Sequence, residues 1–353
     1  MKMAKAIALY SGGLDSTLAT IVMLRLGVEV TALRFLTLFG CDMGEKVAYL
    51  HDDVPHAQQF GFKIKFCHLG QPFMDLVKNP KFGHGKNMNP CVDCRILMLK
   101  EAKRLMELTG ADFLITGEVI GQRPMSQRRD SFPVIDRQAG VEGLVLRPLC
   151  ARHLNPTLPE INGLVDRQKL YDFNGRSRRP QMALAQRFGL ENYQAPAGGC
   201  LLTDPIYSYR LKELLVHDPD PTMRDINVLR TGRHFRLSTT CKAIVGRNEG
   251  DNDFIETQVT TEDITMQVET GGSPITLLTS STGNVEQGML QMAAALTARY
   301  SDSKRQEVVD VTVFRGIDRL VVKIPVQPAS EETIKRLRIE EQGAKVSLKP
   351  VRV

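Results

Sequence analysis

The sequence predicts an α/β chain in which a doubly wound parallel sheet is followed by a second, α+β domain. Three observations carry this reading. Nearly continuous apolar strands alternate with helical stretches through the first half. A glycine turn, Ser11-Gly12-Gly13, stands at the first strand–helix junction. Beyond His217-Asp218-Pro219-Asp220-Pro221 the pattern changes to short strands and turns. With 353 residues the chain is long enough for two domains, expected at 1–207 and 225–353 with a linker over 208–224.

The elements follow in order. Residues 4–10 read as a central strand buried on both faces. A helix follows, with Leu14, Leu18, Ile21, Val22 and Leu26 at helical spacing and Gly27 as its stop. Residues 28–35 read as a second strand, and the alternation of Phe62, Ile64 and Phe66 as a third. Residues 95–108 are helical and end at Gly110, and residues 112–116 form the fourth strand. The stretch from Arg123 to Arg187 is rich in arginine and reads either as a solvated surface or as a phosphate-backbone track. In the second half, strands are expected over 231–245, 253–259, 264–268, 308–314 and 320–324. Helices are expected over 284–300 and 331–340, with turns at 250–252 and 271–272.

Composition narrows the function classes. No run of roughly 18 apolar residues is present, so a membrane-spanning helix is excluded. The first ten residues lack a small-residue cleavage site, so a secretory signal is not expected and a cytoplasmic location is. Seven cysteines in such a chain point to metal or thiol chemistry rather than a disulfide framework. A net charge of +6 is compatible with a nucleic-acid partner. The absence of Trp argues against broad base stacking.

The sharpest chemical motif is Ser11-Gly12-Gly13-Leu14-Asp15-Ser16. Glycines let backbone N–H groups approach a phosphate, and the helix N-terminus adds partial positive charge. Ser11 and Ser16 can donate hydroxyls, and Asp15 can hold Mg²⁺ on an oligophosphate such as ATP. The Gly-Lys-Ser/Thr ending of a Walker loop is missing, so simple γ-phosphate hydrolysis is not indicated.

This motif resembles that of the PP-loop ATP pyrophosphatases, of the adenine nucleotide alpha hydrolase-like fold. Further residues narrow the resemblance. Asn89-Pro90-Cys91-Val92-Asp93-Cys94-Arg95 is followed by Gly117-Glu118-Val119-Ile120-Gly121-Gln122, Ser126-Gln127, and Val145-Leu146-Arg147-Pro148-Leu149. This order is similar to the catalytic half of tRNA 4-thiouridine synthetases. Asn89-Pro90-Cys91 is also similar to tRNA 2-thiouridylases, and Ala195–Leu201 resembles the second-cysteine segment of these thiolases. The resemblance covers about residues 1–205. It implies that Ser11, Gly12, Gly13, Asp15 and Ser16 cradle pyrophosphate and that Gly117 and Gln127 contact the nucleotide. Arg95 and Lys100 are the two candidates for the substrate phosphate. The N-terminal RNA-binding module and the rhodanese domain known from such enzymes are not visible in the sequence.

Cys91 and Cys94 form a C-x-x-C at a helix start, where the dipole favours thiolates. Cys200 follows two glycines that can present its thiol. Three such thiolates suit a [4Fe-4S] cluster with one iron free of protein ligands, as in similar tRNA thiolases. Two alternatives stay open: a persulfide route through Cys94 and Cys200, and structural zinc with a fourth ligand from Cys67, Cys150, His84 or His153. Cys41 and Cys67 read as buried, inert thiols. The 81–86 segment reads as a mobile, basic, glycine-rich loop.

In the second half, Gly232-Arg233-His234-Phe235-Arg236-Leu237 and Ile244-Val245-Gly246-Arg247-Asn248-Glu249 resemble the RNA-binding domain of NFACT proteins, with Arg233, Arg236 and Arg247 as candidate phosphate contacts. Together these resemblances imply an ATP-dependent tRNA sulfurtransferase. It would adenylate a uridine carbonyl and replace the oxygen with sulfur, 4-thiouridine being favoured over 2-thiouridine. Its partners would be tRNA and a sulfur donor, either sulfide or sulfur from a cysteine desulfurase, with a homodimer left open. The rival readings are a PP-loop ligase acting on a small molecule and an RNA-binding adaptor with a degenerate nucleotide site.

Overall fold

The computed structural model describes residues 3–39, 55–191, 193, 200–316 and 319–343. The chain divides into two units, Met1–Thr203 and Asp204–Val353. The stretch 208–224, expected as a linker, instead holds most of the Pro205–His217 helix and the start of Met223–Asn227. Thr222 caps the latter in a capping box with Asp225.

In the first unit, strands β1 (Lys5–Leu9), β2 (Glu29–Leu36), β3 (Lys63–His68), β4 (Phe113–Thr116) and β5 (Val145–Leu146) form a sheet in the order β3-β2-β1-β4-β5. All pairs are parallel. Strand β1 is central, and its alternation divides the core. Ala6 and Ala8 pack with Leu14, Leu18 and Ile21 of helix α1 (Leu14–Arg25). Ile7 and Leu9 pack on the other face with Leu99 and Ala102 of the Cys91–Thr109 helix and Ile135 of Ser131–Ala139. Burial on both faces is why β1 reads as an unbroken apolar run. At the edge, β3 departs from the expected alternation: Phe62 is buried but Phe66 is 45% exposed.

The chain runs outward from β1 to β2 on one side and reaches β4 on the other. This reversal is a topological switch point, where the carboxyl ends of two neighbouring strands open a crevice. Helix Cys91–Thr109 starts directly after Pro90, four residues ahead of the expected start, so both C-x-x-C thiols lie at its first turns. Gly110 ends it in the left-handed conformation (φ 64°).

The second unit is a six-stranded antiparallel sheet in the order β11-β10-β8-β9-β7-β6. Its strands are β6 (Arg233–Arg236), β7 (Cys241–Val245), β8 (Ile264–Val268), β9 (Thr276–Ser280), β10 (Val309–Arg315) and β11 (Arg319–Val326). Helix Gln287–Arg299 supplies Ala293, Ala294 and Leu296 to the core on one face. Val228, Ile244, Ile255 and Leu277 form a smaller core elsewhere in the unit.

Here two expectations are corrected. Residues 253–259 are not a strand: helix Glu249–Gln258 covers most of them, and the expected turn at 250–252 lies within its start. The Asn248 side chain accepts from the Asp251 N–H (2.9 Å) and starts the helix, overriding a short run with strand-like residues. Strand β9 was not anticipated.

The Gly-Arg-Asn turn after β7 is built for structure. Asp251 accepts from Arg247 Nε (2.6 Å), the Thr231 hydroxyl (2.6 Å) and the Gly232 N–H (3.3 Å). Asn252 Oδ1 accepts from the Ile275 N–H (3.0 Å), and a methyl at Gly246 would lie 2.0 Å from that oxygen. Arg233 donates to the Gly246 carbonyl (2.9 Å) and stacks over the Tyr300 ring at 4.4 Å. Arg236 pairs with Glu213 (2.5 Å). All three arginines expected to meet phosphate are therefore engaged within the unit.

Burial disfavours charge on Asp251, but Arg247 and Thr231 hold its carboxyl well below the usual range. Burial, with Lys242 and Arg210 nearby, pushes the fully buried His234 well below its usual pKa. Both depressed groups make the unfolded state bind more protons as pH falls. The Tm of the chain should therefore fall in two stages as pH drops, below about pH 6.5 for His234 and below about pH 4 for Asp251. Asp251→Asn should lower Tm at pH 7 and shrink the lower stage. Thermal melts across pH 3–8 check both.

Candidate nucleotide and thiol site

A cavity of about 650 Å³ opens at the switch point. Ser11, Asp15 and Ser16 line it from the β1–α1 turn, Gly117, Glu118, Gln122 and Gln127 from the segment after β4, and Cys91, Cys94 and Arg95 from the helix start. Cys200 lines it as well.

The turn after β1 is locked internally. Gly12 takes φ +75°, open to glycine at little cost. The Ser16 hydroxyl donates to the Gly13 carbonyl (3.0 Å) and accepts from the Ser11 N–H (3.2 Å). Gly12 and Gly13 thus shape the turn, while Ser11, Asp15 and Ser16 present polar atoms to the cavity.

Gly117 brings β4 against this turn. A methyl there would lie 2.5 Å from the Asp15 carbonyl carbon and the Ser16 amide nitrogen. The residue expected to contact nucleotide is thus needed first for close packing.

Asp15 is held on one oxygen. Its Oδ2 accepts from Gln122 Nε2 (2.7 Å), and Arg178 Nη2 lies 3.8 Å away. Its Oδ1 is buried with no hydrogen-bond partner. Burial raises the carboxyl pKa, against the opposing effects of Gln122, Arg178 and Arg123. The Gln127 Oε1 is likewise buried without a partner.

Glu118 links this end to the thiols. It is 2% exposed, and its Oε2 accepts from Thr116 Oγ1 (3.0 Å) and Arg147 Nε (3.2 Å). Its Oε1 lies 3.1 Å from Arg95 Nε. Arg147, 3% exposed, also grips Asp136 with both terminal nitrogens (3.0 and 2.8 Å). Of the two candidates for the substrate phosphate, Arg95 lines the cavity; Lys100 is exposed further along the helix and does not.

The thiols meet at the same wall. Cys200 is carried there by backbone stitching: Met88 N–H donates to the Leu202 carbonyl (3.1 Å), and Asn87 Nδ2 to the Thr203 carbonyl (2.8 Å). Ala195–Gly199, read as the turn presenting Cys200, and Cys41 lie outside the described residues. Burial pushes the Cys94 thiol up to about 12; Arg95 opposes this, while Cys200 and Cys91 add to it. Burial also raises Cys91. The expected thiolate preference at the helix start is corrected, because desolvation outweighs the dipole. Among the described residues, no group of three His, Cys, Asp or Glu side chains converges to hold a single metal ion. Cys150 is buried and donates to the Glu118 carbonyl (3.2 Å), Cys241 is buried in β7, and Cys67 is half-buried in β3. The 81–86 loop, expected to be mobile, is tied down: Asp93 accepts from the Lys81 and Phe82 N–H groups (both 3.0 Å), and Gly85 N–H donates to the Asn89 carbonyl (2.8 Å).

The structure adds residues that the motif reading did not select. Gln122, at the end of the TGE-xx-GQ segment, reaches Asp15, and Arg178 arrives from a segment with no motif of its own. Of the arginine-rich stretch, Arg128, Arg137 and Arg167 pair with Asp130, Glu142 and Glu160, and Arg129 donates to the His153 carbonyl. Much of that stretch is thus spent on internal contacts.

Comparison with known proteins agrees with this division. Residues 2–155 match the family described as thiamine biosynthesis protein (ThiI), and residues 232–338 match the NFACT protein RNA binding domain. One stretch of the chain is thus similar to ThiI and a later one to the NFACT RNA binding domain. A probable tRNA sulfurtransferase of Thermococcus kodakarensis is 27% identical over 154 residues, covering 41% of this chain and 36% of that protein. A tRNA sulfurtransferase of Azotobacter vinelandii is 33% identical over 153 residues, covering 42% of this chain and 29% of that protein. The match thus spans about a third of these relatives' length. A 4-thiouridine synthetase–RNA complex with bound ATP is 24% identical at a TM-score of 0.31, covering 41% of this chain and 36% of that one. No described helix is long and apolar enough to cross a membrane.

Two outcomes follow. In Gly117→Ala, overpacking costs about 1–3 kcal/mol and lowers Tm by roughly 3–10 °C, read by calorimetry. Iodoacetamide labelling of Cys94 should keep rising with pH beyond 10 instead of levelling near 9, read by peptide mass spectrometry.

Proposed function

We propose that this chain is an ATP-dependent tRNA sulfurtransferase, thiolating uridine at the 4-position in preference to the 2-position. The observation that carries the reading is the meeting of the Ser11–Ser16 turn and the thiols of Cys91, Cys94 and Cys200 on one cavity. Phosphate activation and sulfur delivery need to act on the same atom in turn, and one cavity serves both.

The Gly12–Gly13 turn and the start of α1 receive the phosphates of ATP. The buried, unpartnered Asp15 Oδ1 is a hard oxygen donor, which fits a Mg²⁺ ion; that ion would neutralise polyphosphate charge. The base must leave its stack to reach the cavity. Its carbonyl oxygen attacks the α-phosphorus, the bond to the β-phosphate breaks, and pyrophosphate leaves. Arg95, braced by Glu118, lines the cavity and would offset the negative charge that develops there. A sulfur nucleophile then attacks the activated ring carbon and AMP departs with the oxygen. Cys91, Cys94 and Cys200 line the same cavity and are the residues that would hold a [4Fe-4S] cluster. Such a cluster would supply an open iron to hold sulfide. The second unit, of a family named for RNA binding, favours tRNA over a small-molecule acceptor.

Pyrophosphate release should require Mg²⁺, rise with tRNA and vanish in Asp15→Ala; release of ADP and orthophosphate would refute the reading. Nucleoside mass spectrometry of tRNA from a deletion strain should show loss of 4-thiouridine. Protein purified without oxygen should carry iron and acid-labile sulfide, which Cys91→Ala, Cys94→Ala or Cys200→Ala removes while ATP binding survives. Iron-free, fully active protein would favour a persulfide route through Cys94 and Cys200.

A further inference from the structure

We propose that Arg178 is a phosphate-binding residue of this site, supplied by a segment beyond the ThiI-matched residues 2–155. The inference rests on the nucleotide reading above and extends it to a residue with no motif.

Arg178 stands at the N-cap of the ten-residue helix Arg179–Phe188. The first turn of this helix holds no acidic residue, and no side chain caps it. Two consecutive cations therefore sit at the positive end of a helix, where the dipole disfavours them. Among the described residues, Arg178 pairs with the carboxylate of Asp15, and the contact is loose: Nη2 lies 3.8 Å from Oδ2. The Arg178 Nε is buried and has no hydrogen-bond acceptor. A guanidinium with a buried, unused donor beside the Ser11–Ser16 turn is matched by an anion that can accept from two nitrogens at once, which a phosphate does.

Two glutamines connect this segment to Asp15. Gln181, one turn further on, is fully buried, and its Nε2 lies 3.5 Å from Gln122 Oε1. Gln122 in turn donates to Asp15 Oδ2 at 2.7 Å. This relay holds the start of the helix against the first turn of α1. Asp15 lines the cavity and has the Arg178 guanidinium beside its carboxylate, so a polyphosphate lying on the turn would come up against the same guanidinium.

The test is isothermal titration of the full-length chain with Mg-ATP, pyrophosphate and AMP. Arg178→Met should weaken ATP and pyrophosphate about 10- to 100-fold, as expected for a lost charge-assisted fork. AMP should weaken less than threefold, and Arg178→Lys should recover part of the loss. A residue that merely neutralised Asp15 would behave differently: in an Asp15→Asn background, Arg178→Met would then add nothing to the weakening of pyrophosphate. The proposal expects the same fold-loss in that background. Equal ATP and pyrophosphate affinities for wild type and Arg178→Met would overturn the inference while leaving the nucleotide site standing. A wild-type chain that binds neither Mg-ATP nor pyrophosphate would overturn both. Circular dichroism of each variant separates binding loss from unfolding.

Discussion

The first turn of α1 sits so close to Gly117 that any side chain there would press into the Asp15 and Ser16 backbone. That contact is possible only because β1 and β4 are neighbours in a parallel register, with Leu9 opposite Thr116, so both strands end at the same height. The crevice, the serine-locked turn and the reach of Gln122 to Asp15 all depend on it. The residue after Gly117 is Glu118, which turns into the core to meet Arg147 and outward to meet Arg95. One strand end therefore positions the glycine turn and the thiol-bearing helix together.

The charge chain from Arg95 through Glu118 and Arg147 to Asp136 is costly to bury. Desolvation penalises each ion, and the cost is offset only if every member is paired. Burial works against the Arg147 charge, but Glu118 and Asp136 together keep it firmly protonated. Stacking over the Phe132 ring at 4.1 Å shields the same guanidinium. A chain paired along its length permits few other geometries, which suits a site where Arg95 must stay beside two thiols.

The second unit uses arginine differently. Its Gly-Arg-Asn turn satisfies the start of a helix, as Asn248 caps the backbone, Arg247 grips Asp251 and Asn252 reaches toward β9. A side chain at Gly246 would displace the Asn252 amide and break its bond to the Ile275 N–H. A motif that marks a family is here the signature of a turn, and its arginines are structural before they are anything else.

The sequence by itself determined the doubly wound order, the central strand, the glycine turn, the helix stop at Gly110 and the change of architecture in the second half. These are local: apolar periodicity, left-handed glycines and chain breaks are read within a few residues. It also singled out Asp15, Cys91, Cys94 and Cys200, because each lies in a short motif. It misread 253–259, where one capping asparagine outweighed a strand-like run. It read Arg233, Arg236 and Arg247 as candidate phosphate contacts; the structure adds their partners, Gly246 and Tyr300 for Arg233, Glu213 for Arg236 and, four residues on, Asp251 for Arg247. Only the tertiary structure decided that Gly117 packs against the first turn of α1, that Arg95 rather than Lys100 lines the cavity, and that Arg178 reaches Asp15 across 163 residues of chain. It decided the state of the thiols too, since the desolvation that raises Cys94 comes from packing around it, and burial of that kind cannot be read from neighbours in sequence.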